Sequence, residues 1–270
     1  NFVRPNAELL LMDLESLIYQ QEKPVSTASV FAAWSVCKEA KSNKIKVLLN
    51  GQGADEIFGY DYMAAYYFKE LLYSFKWWGL FREIYFFIKK QSSVNFTLKL
   101  FVFLLMPKVV KNRLLIFYNS IININYFQKH NAESKFNSEF FNVKNLNASA
   151  RKHLEMKLHH LLRFEDKNSM MFGVETRIPF LEKDLVDFVL NIPSKFKIID
   201  GSIKHILKDA AKGFIPKMIY DRNNKIGYET PMAKWMRSDS FQKEIDNMIE
   251  ITDQPMKEYL NLSYIKKVWG

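Results

Sequence analysis

Apolar residues recur at helical spacing from near the first residue. Leu10, Leu14, Leu17 and Ile18 share one face and predict a helix over about residues 7–20. A loop around Lys23-Pro24 follows, and Ser26 is placed to cap a second helix running to about Asn43. The period then changes. Ile45 to Leu49 form a short, β-branched apolar run ending in Asn50-Gly51, which predicts a buried, central parallel strand that enters a glycine-bearing loop. Residues 60–145 read as helical but irregular, with Pro107 as a breaker and Asn-rich loops at 119–125 and 142–147. Regularity returns after Ala150, where Leu154, Leu158, Leu161 and Leu162 make a helix face. Pro179, Pro193, Gly201, Gly213, Pro216 and Gly227 then punctuate a run of short helices. No internal repeat is visible. One strand is too few for an α/β sheet, so the first strands are expected upstream of Asn1, and Asn1 to Pro5 read as the interior of a longer protein.

Composition changes this picture little. At 270 residues, 48% hydrophobic and 25% charged, the chain has the makeup of an ordinary globular protein. Cys37 is the only cysteine, which excludes an intrachain disulfide and fits a reducing, cytoplasmic setting. Its apolar helical neighbours (Phe31, Trp34, Val36) make it a core residue rather than a nucleophile. The longest apolar run in the aromatic middle, Leu100 to Met106, is too short to span a membrane.

A net charge of +10 raises nucleic-acid binding, but its distribution argues against it. Between Lys69 and Lys144 stand 12 Lys/Arg and 4 Asp/Glu, scattered among Phe, Leu and Ile without a nucleic-acid-binding motif. That stretch reads as a surface insert, with contact to an anionic membrane or an acidic carrier as the alternative.

The chemistry concentrates after the predicted strand, in Asn50-Gly51-Gln52-Gly53-Ala54-Asp55-Glu56-Ile57-Phe58-Gly59. Two glycines in three positions let backbone approach a ligand closely. A carboxylate just beyond them, at the carboxyl end of a strand, suits Mg²⁺ held together with phosphates. A merely tight strand-to-helix turn explains the same residues. His153, His159 and His160 lack the spacing of a helical zinc site.

This string resembles the S-G-E-G-x-D-E-x-F-G-G-Y signature of glutamine-hydrolysing asparagine synthetases. Three further segments resemble that family in its order. Asp166-Lys167-Asn168-Ser169-Met170 with Val174-Glu175-Thr176-Arg177-Ile178-Pro179-Phe180-Leu181 is similar to D-R-x-S-M … V-E-x-R-x-P-F-L-D. Lys204 to Leu207 is similar to K-x-x-L-R, and Arg222, Lys225, Gly227, Tyr228, Pro231 and Trp235 to R-x-K-x-G-F-x-x-P … W.

The resemblance implies the C-terminal synthetase part of such an enzyme. Its fold would be α/β, part of a three-layer adenine-nucleotide hydrolase-like architecture with a parallel sheet. Residues 1–68 would continue the nucleotide-binding core, 69–148 form a helical insert, and 149–270 add C-terminal helices. ATP would adenylate a carboxylate, and ammonia would then form the amide. By match, Asp55 binds Mg²⁺, while Asn50, Gly51, Gly53 and Lys204 hold the nucleotide. Gln52, Lys204 and Glu175 are the catalytic candidates. The bland alternatives are a solvated helix lysine for Lys204, an internal ion pair for Glu175 with Arg177, and surface charges for Arg222 and Lys225. The implied partners are ATP, aspartate or a sugar acid, and glutamine through an N-terminal glutaminase domain absent here. A homodimer is admitted; nucleic acid and a membrane span are not expected. A non-catalytic relative kept as an interaction module is the reading from another class.

The pattern departs from the family in three places. The glycine-rich phosphate loop is missing and is expected upstream of Asn1. Gln52 stands where the family has Glu, so a base is replaced by an amide. Gly59-Tyr60-Asp61-Tyr62 replaces the G-G-Y end. The last two changes fall on the acceptor half of the site, so an acceptor other than aspartate is expected.

Overall fold

The computed structural model describes residues 1–25, 27–91, 94–107, 109–111, 114, 121–131, 139–222, 230–251 and 254–269. Ser26, expected as a cap, and Lys225, Gly227 and Tyr228 of the last family segment lie outside the described residues. Helix α1 (Ala7–Gln21) starts on Asn6, whose side chain accepts the Leu9 N–H at 2.8 Å. Its Leu10 and Leu17 bury against Val30, Phe31 and Trp34 of α2 (Ser29–Ser42), and Trp235 and Phe241 close the cluster. Cys37 lies buried in α2 with its thiol pushed up to about 12 by desolvation, a core residue rather than a nucleophile.

Strand β1 (Val47–Leu49) pairs in parallel with β2 (Glu175–Arg177), Val47 opposite Glu175 and Leu49 opposite Arg177. The parallel pairing agrees with the sequence pattern; the central, buried position does not. Among the described residues the sheet has these two strands, so β1 has one paired flank, and Leu49 is 77% exposed. Burying an apolar parallel strand takes neighbours on both edges and layers on both faces. Ile45 falls before the strand, beyond the left-handed Lys44 that turns the chain out of α2.

The middle of the chain is more regular than its sequence pattern indicates. After α3 (Ala54–Phe58) come α4 (Ala64–Tyr73), α5 (Trp77–Lys90) and α6 (Val94–Leu105). Tyr66, Phe68, Phe87 and Leu104 from these helices pack with Leu146, Ala150 and Ile198, so the described helices between residues 69 and 148 share a core with both flanks. Gly201 (φ +68°) is needed there, because a Cβ would collide with the backbone of Phe86 and Phe87.

Helix α7 (Ile124–Asn131) precedes α8 (Leu146–His153), which Asn145 caps through the Ala148 N–H at 2.8 Å. One π-helical turn, Leu154–Leu158, then leads into α9 (His159–Met171). Such a turn shifts the register of the buried stripe. Helices α10 (Lys183–Asn191) and α11 (His205–Ala211) follow β2, and shorter segments complete the chain. No helix among the described residues is long and apolar enough to cross a membrane.

Candidate active site

The loop leaving β1 is built around Asn50. Its Oδ1 accepts the Gln52 N–H at 3.0 Å, closing a turn that holds Gly51 and Gln52 at the sheet's carboxyl edge. Gly53 then adopts φ +89°, with the Leu181 side chain lying where a Cβ would sit. This conformation starts α3 and points Asp55 into a cleft of about 920 Å³. Helix α2 contributes Val30, Ala33 and Val36 to one wall; Tyr60, Asp61, Lys204 and Arg222 line the cleft elsewhere.

Lys204 reaches Asp55 from 149 positions away, and their side chains form an ion pair on the cleft. The lysine does not sit inside a helix. It is the left-handed residue (φ 54°) that starts α11, held by the Ile199–Ser202 bridge and by the His205 N–H on the Lys197 carbonyl at 2.8 Å. A non-glycine residue in this conformation is strained, and such strain persists where surrounding structure fixes it. Lys208, one turn further along, also lines the cleft, and burial together with Lys90 and Lys204 lowers its pKa. Arg222, a surface charge on the bland alternative, faces the same space.

Gln52, Asn50, Gly51 and Asp55 thus meet Lys204 in one cleft, whereas Glu175 lies elsewhere. It occupies the opening position of β2, and the opposite end of that strand feeds Asn50 through the Arg177 carbonyl at 2.8 Å. Glu175 pairs with exposed Arg177 at 2.6 Å, which holds its carboxyl below the usual range, and lines a second cavity with Lys46, Asp166 and Ser169.

The residue that the sequence reading missed is Glu165. Its side chain is buried where α9 separates the two cavities, and it hydrogen-bonds the Asn50 side chain. Burial pushes this carboxyl up, and the Asn50 hydrogen bond opposes the rise. A signal for it stood in the sequence. Leu158, Leu161, Glu165 and Asn168 continue one helical face, so a carboxylate interrupts a buried stripe. Asn168, fully buried, acts as a clamp: it donates to the Val30 carbonyl at 2.9 Å and accepts from Gln21 at 2.8 Å.

The Gly59-Tyr60-Asp61-Tyr62 departure builds an aromatic stack, of which Tyr60 lines the cleft. Tyr60 and Tyr62 stack with centroids 5.1 Å apart, and Lys157 lies 4.5 Å over the Tyr60 ring. Behind them, Tyr60 donates to buried Glu56, and Tyr62 meets His153 at 2.9 Å. Burial brings His153 down to about 4, so its imidazole is neutral at pH 7. No cluster of three His, Cys, Asp or Glu able to hold a metal occurs among the described residues.

An α/β unit with a charged cleft at the carboxyl ends of parallel strands belongs to the broad class that binds ligands at that edge. Comparison with known proteins narrows the class: the model of the asparagine synthase family matches residues 3–270, and the chain belongs to that family. It is 23% identical over 285 residues to the glutamine-hydrolyzing asparagine synthetase 1 of Bacillus subtilis (strain 168), covering 96% of this chain and 42% of that protein. The glutamine-hydrolyzing asparagine synthetase 3 of the same organism is 32% identical over 92 residues, 32% of this chain and 15% of that protein. Amidase chry2 of Gibberella zeae is 33% identical over 84 residues, 28% of this chain and 12% of that protein. The chain therefore spans less than half the length of these relatives. No solved structure matches it.

Proposed function

We propose that this chain carries the ATP-dependent half of a carboxylate-amidating ligase, and that the cleft holds both ATP and acceptor. The observation that carries this reading is the meeting of Asp55 and Lys204 beside the Asn50–Gly53 loop. A lone magnesium-binding carboxylate beside a phosphate-facing lysine is a sufficient protein contribution, since phosphates and water complete the coordination. Magnesium at Asp55 would supply charge neutralisation across the phosphates. Val30, Ala33 and Val36 give an apolar wall suited to a purine.

In the first half-reaction an acceptor carboxylate oxygen attacks the α-phosphorus and pyrophosphate leaves. Lys204, released from Asp55, places its charge where negative charge accumulates on the departing group. In the second, ammonia nitrogen bonds to the acyl carbon, the carbon–oxygen bond to AMP breaks, and one proton must leave nitrogen. Gln52 cannot accept it. Glu165, buried on the same cleft and joined to the loop by Asn50, is the proton acceptor in this scheme. Glutamine hydrolysis elsewhere in the full-length protein would supply the ammonia.

The acceptor proposed here is a carboxylate other than aspartate, such as a sugar acid. Gln52, on the cleft where the resembled signature has a glutamate, favours it, and Tyr60 at the cleft edge departs from the same signature. The test follows acceptor-dependent conversion of ATP to AMP by the full-length protein across aspartate and uronic acids. Turnover with a uronic acid exceeding that with aspartate supports the reading. Preference for aspartate removes the sugar-acid part, and no AMP with any carboxylate favours the non-catalytic interaction module.

A further inference from the structure

Helix α5 carries one continuous apolar face about half its circumference wide, and the core occupies only one flank of that face. At about 100° per residue, Leu80, Ile84 and Phe87 face inward, whereas Trp77, Ile88, Phe81, Tyr85 and Trp78 span an outward arc about 100° wide. Trp78 is 83% exposed and Phe81 65%. Tyr73 and Phe75, on the turn that leads into the helix, are exposed as well.

The setting of this arc is cationic. Lys76 precedes the helix, Lys89 and Lys90 close it, and Lys89 lies 4.4 Å over the Tyr85 ring at the arc's end. The one acidic residue of the helix, Glu83, is turned inward, accepting the backbone N–H groups of Asp200 and Gly201 at 3.1 and 3.0 Å. Arg82 pairs with Asp200 at 2.8 Å. These inward contacts, with Gln91 donating to the Gly201 carbonyl at 2.9 Å, fix α5 to the body of the protein. The aromatic arc is therefore presented without any part of the core unfolding.

We propose that the outward face of α5 docks this protein reversibly on an anionic lipid bilayer, with Trp77, Trp78 and Phe81 entering the headgroup boundary. Tryptophan and tyrosine favour that boundary because an apolar ring with a polar edge matches both media. Lysines flanking an apolar helix face add attraction to anionic headgroups. The helix lies flat on the surface and does not span it.

The test is co-sedimentation of the full-length protein with phosphatidylcholine vesicles, with and without phosphatidylglycerol. Binding is expected only with the anionic lipid, and is expected to weaken as salt rises. Trp78→Ser with Phe81→Ser should abolish it. Lys76→Ala and Lys89→Ala should each lower the partition roughly fivefold. Circular dichroism and thermal midpoint of the double variant matching wild type keep its loss of binding from reflecting misfolding. Failure of wild type to sediment, or sedimentation equal in the double variant, overturns the proposal. So does protection of Trp78 from a soluble quencher in the vesicle-free protein, because the arc would then be covered by another part of the chain or a second copy.

Discussion

At the scale of single residues, two polar groups carry the proposed chemistry and one histidine weighs on stability in acid. In the proposed scheme Glu165 and Gln52 divide tasks that one carboxylate could perform at position 52. Glu165→Gln should lower amide formation by about 10²- to 10⁴-fold while leaving ATP–pyrophosphate exchange near wild type. Adding Gln52→Glu to that variant should recover part of the rate. Loss of exchange together with amidation would instead assign Glu165 a structural role. His153 acts on stability. Its folded pKa of about 4 lies below the ordinary value near 6.5, so the unfolded chain binds the proton first as pH falls. Stability from this group is full above about 6.5 and lost on the way down to about 4, roughly 3 kcal/mol at most. Urea midpoints of wild type and His153→Gln at pH 7 and 4.5 should therefore converge at the lower pH.

At the scale of elements, what the sequence disclosed follows from how local each cause is. Helices α1 and α2, the strand-to-loop transition at Asn50 and the core position of Cys37 rest on nearby spacing, and they were legible. The regular packing of α6 was not, because Val94–Leu105 is apolar nearly all round and blurs the helical period, and the broad apolar face of α5 extends well past the part that the core covers. The bland alternative for Lys204 puts it inside a helix, because nothing in one sequence marks a left-handed residue. The tertiary contacts of residues 197–205 impose that conformation. The meeting of Asp55 and Lys204 was expected from family resemblance, never from spacing. Glu175 was named on the same basis, yet the parallel register sends it to the other end of β2. The buried cluster makes a checkable claim about these helices. Phe87 is fully buried and meets Phe68 edge-on at 5.6 Å, so Phe87→Ala should cost about 3–5 kcal/mol in chemical denaturation. A loss below about 1 kcal/mol would mean that α5 is not part of the main core.

At the scale of the whole molecule, the two-stranded sheet brings the Asn50 loop to a cleft that α2, α9 and the turn at Lys204 complete. Ion pairing of Asp55 with Lys204 closes that cleft electrostatically, and ATP with magnesium would separate the two charges and draw on both. The account therefore stands on Asp55. ATP–pyrophosphate exchange by the full-length protein, measured with a saturating carboxylate acceptor, tests this most directly. Exchange by wild type and its loss by at least about 10²-fold in Asp55→Asn, with an unchanged thermal midpoint, is the predicted result. Undiminished exchange in Asp55→Asn would contradict the account, since adenylation would then proceed without the carboxylate on which the cleft is built.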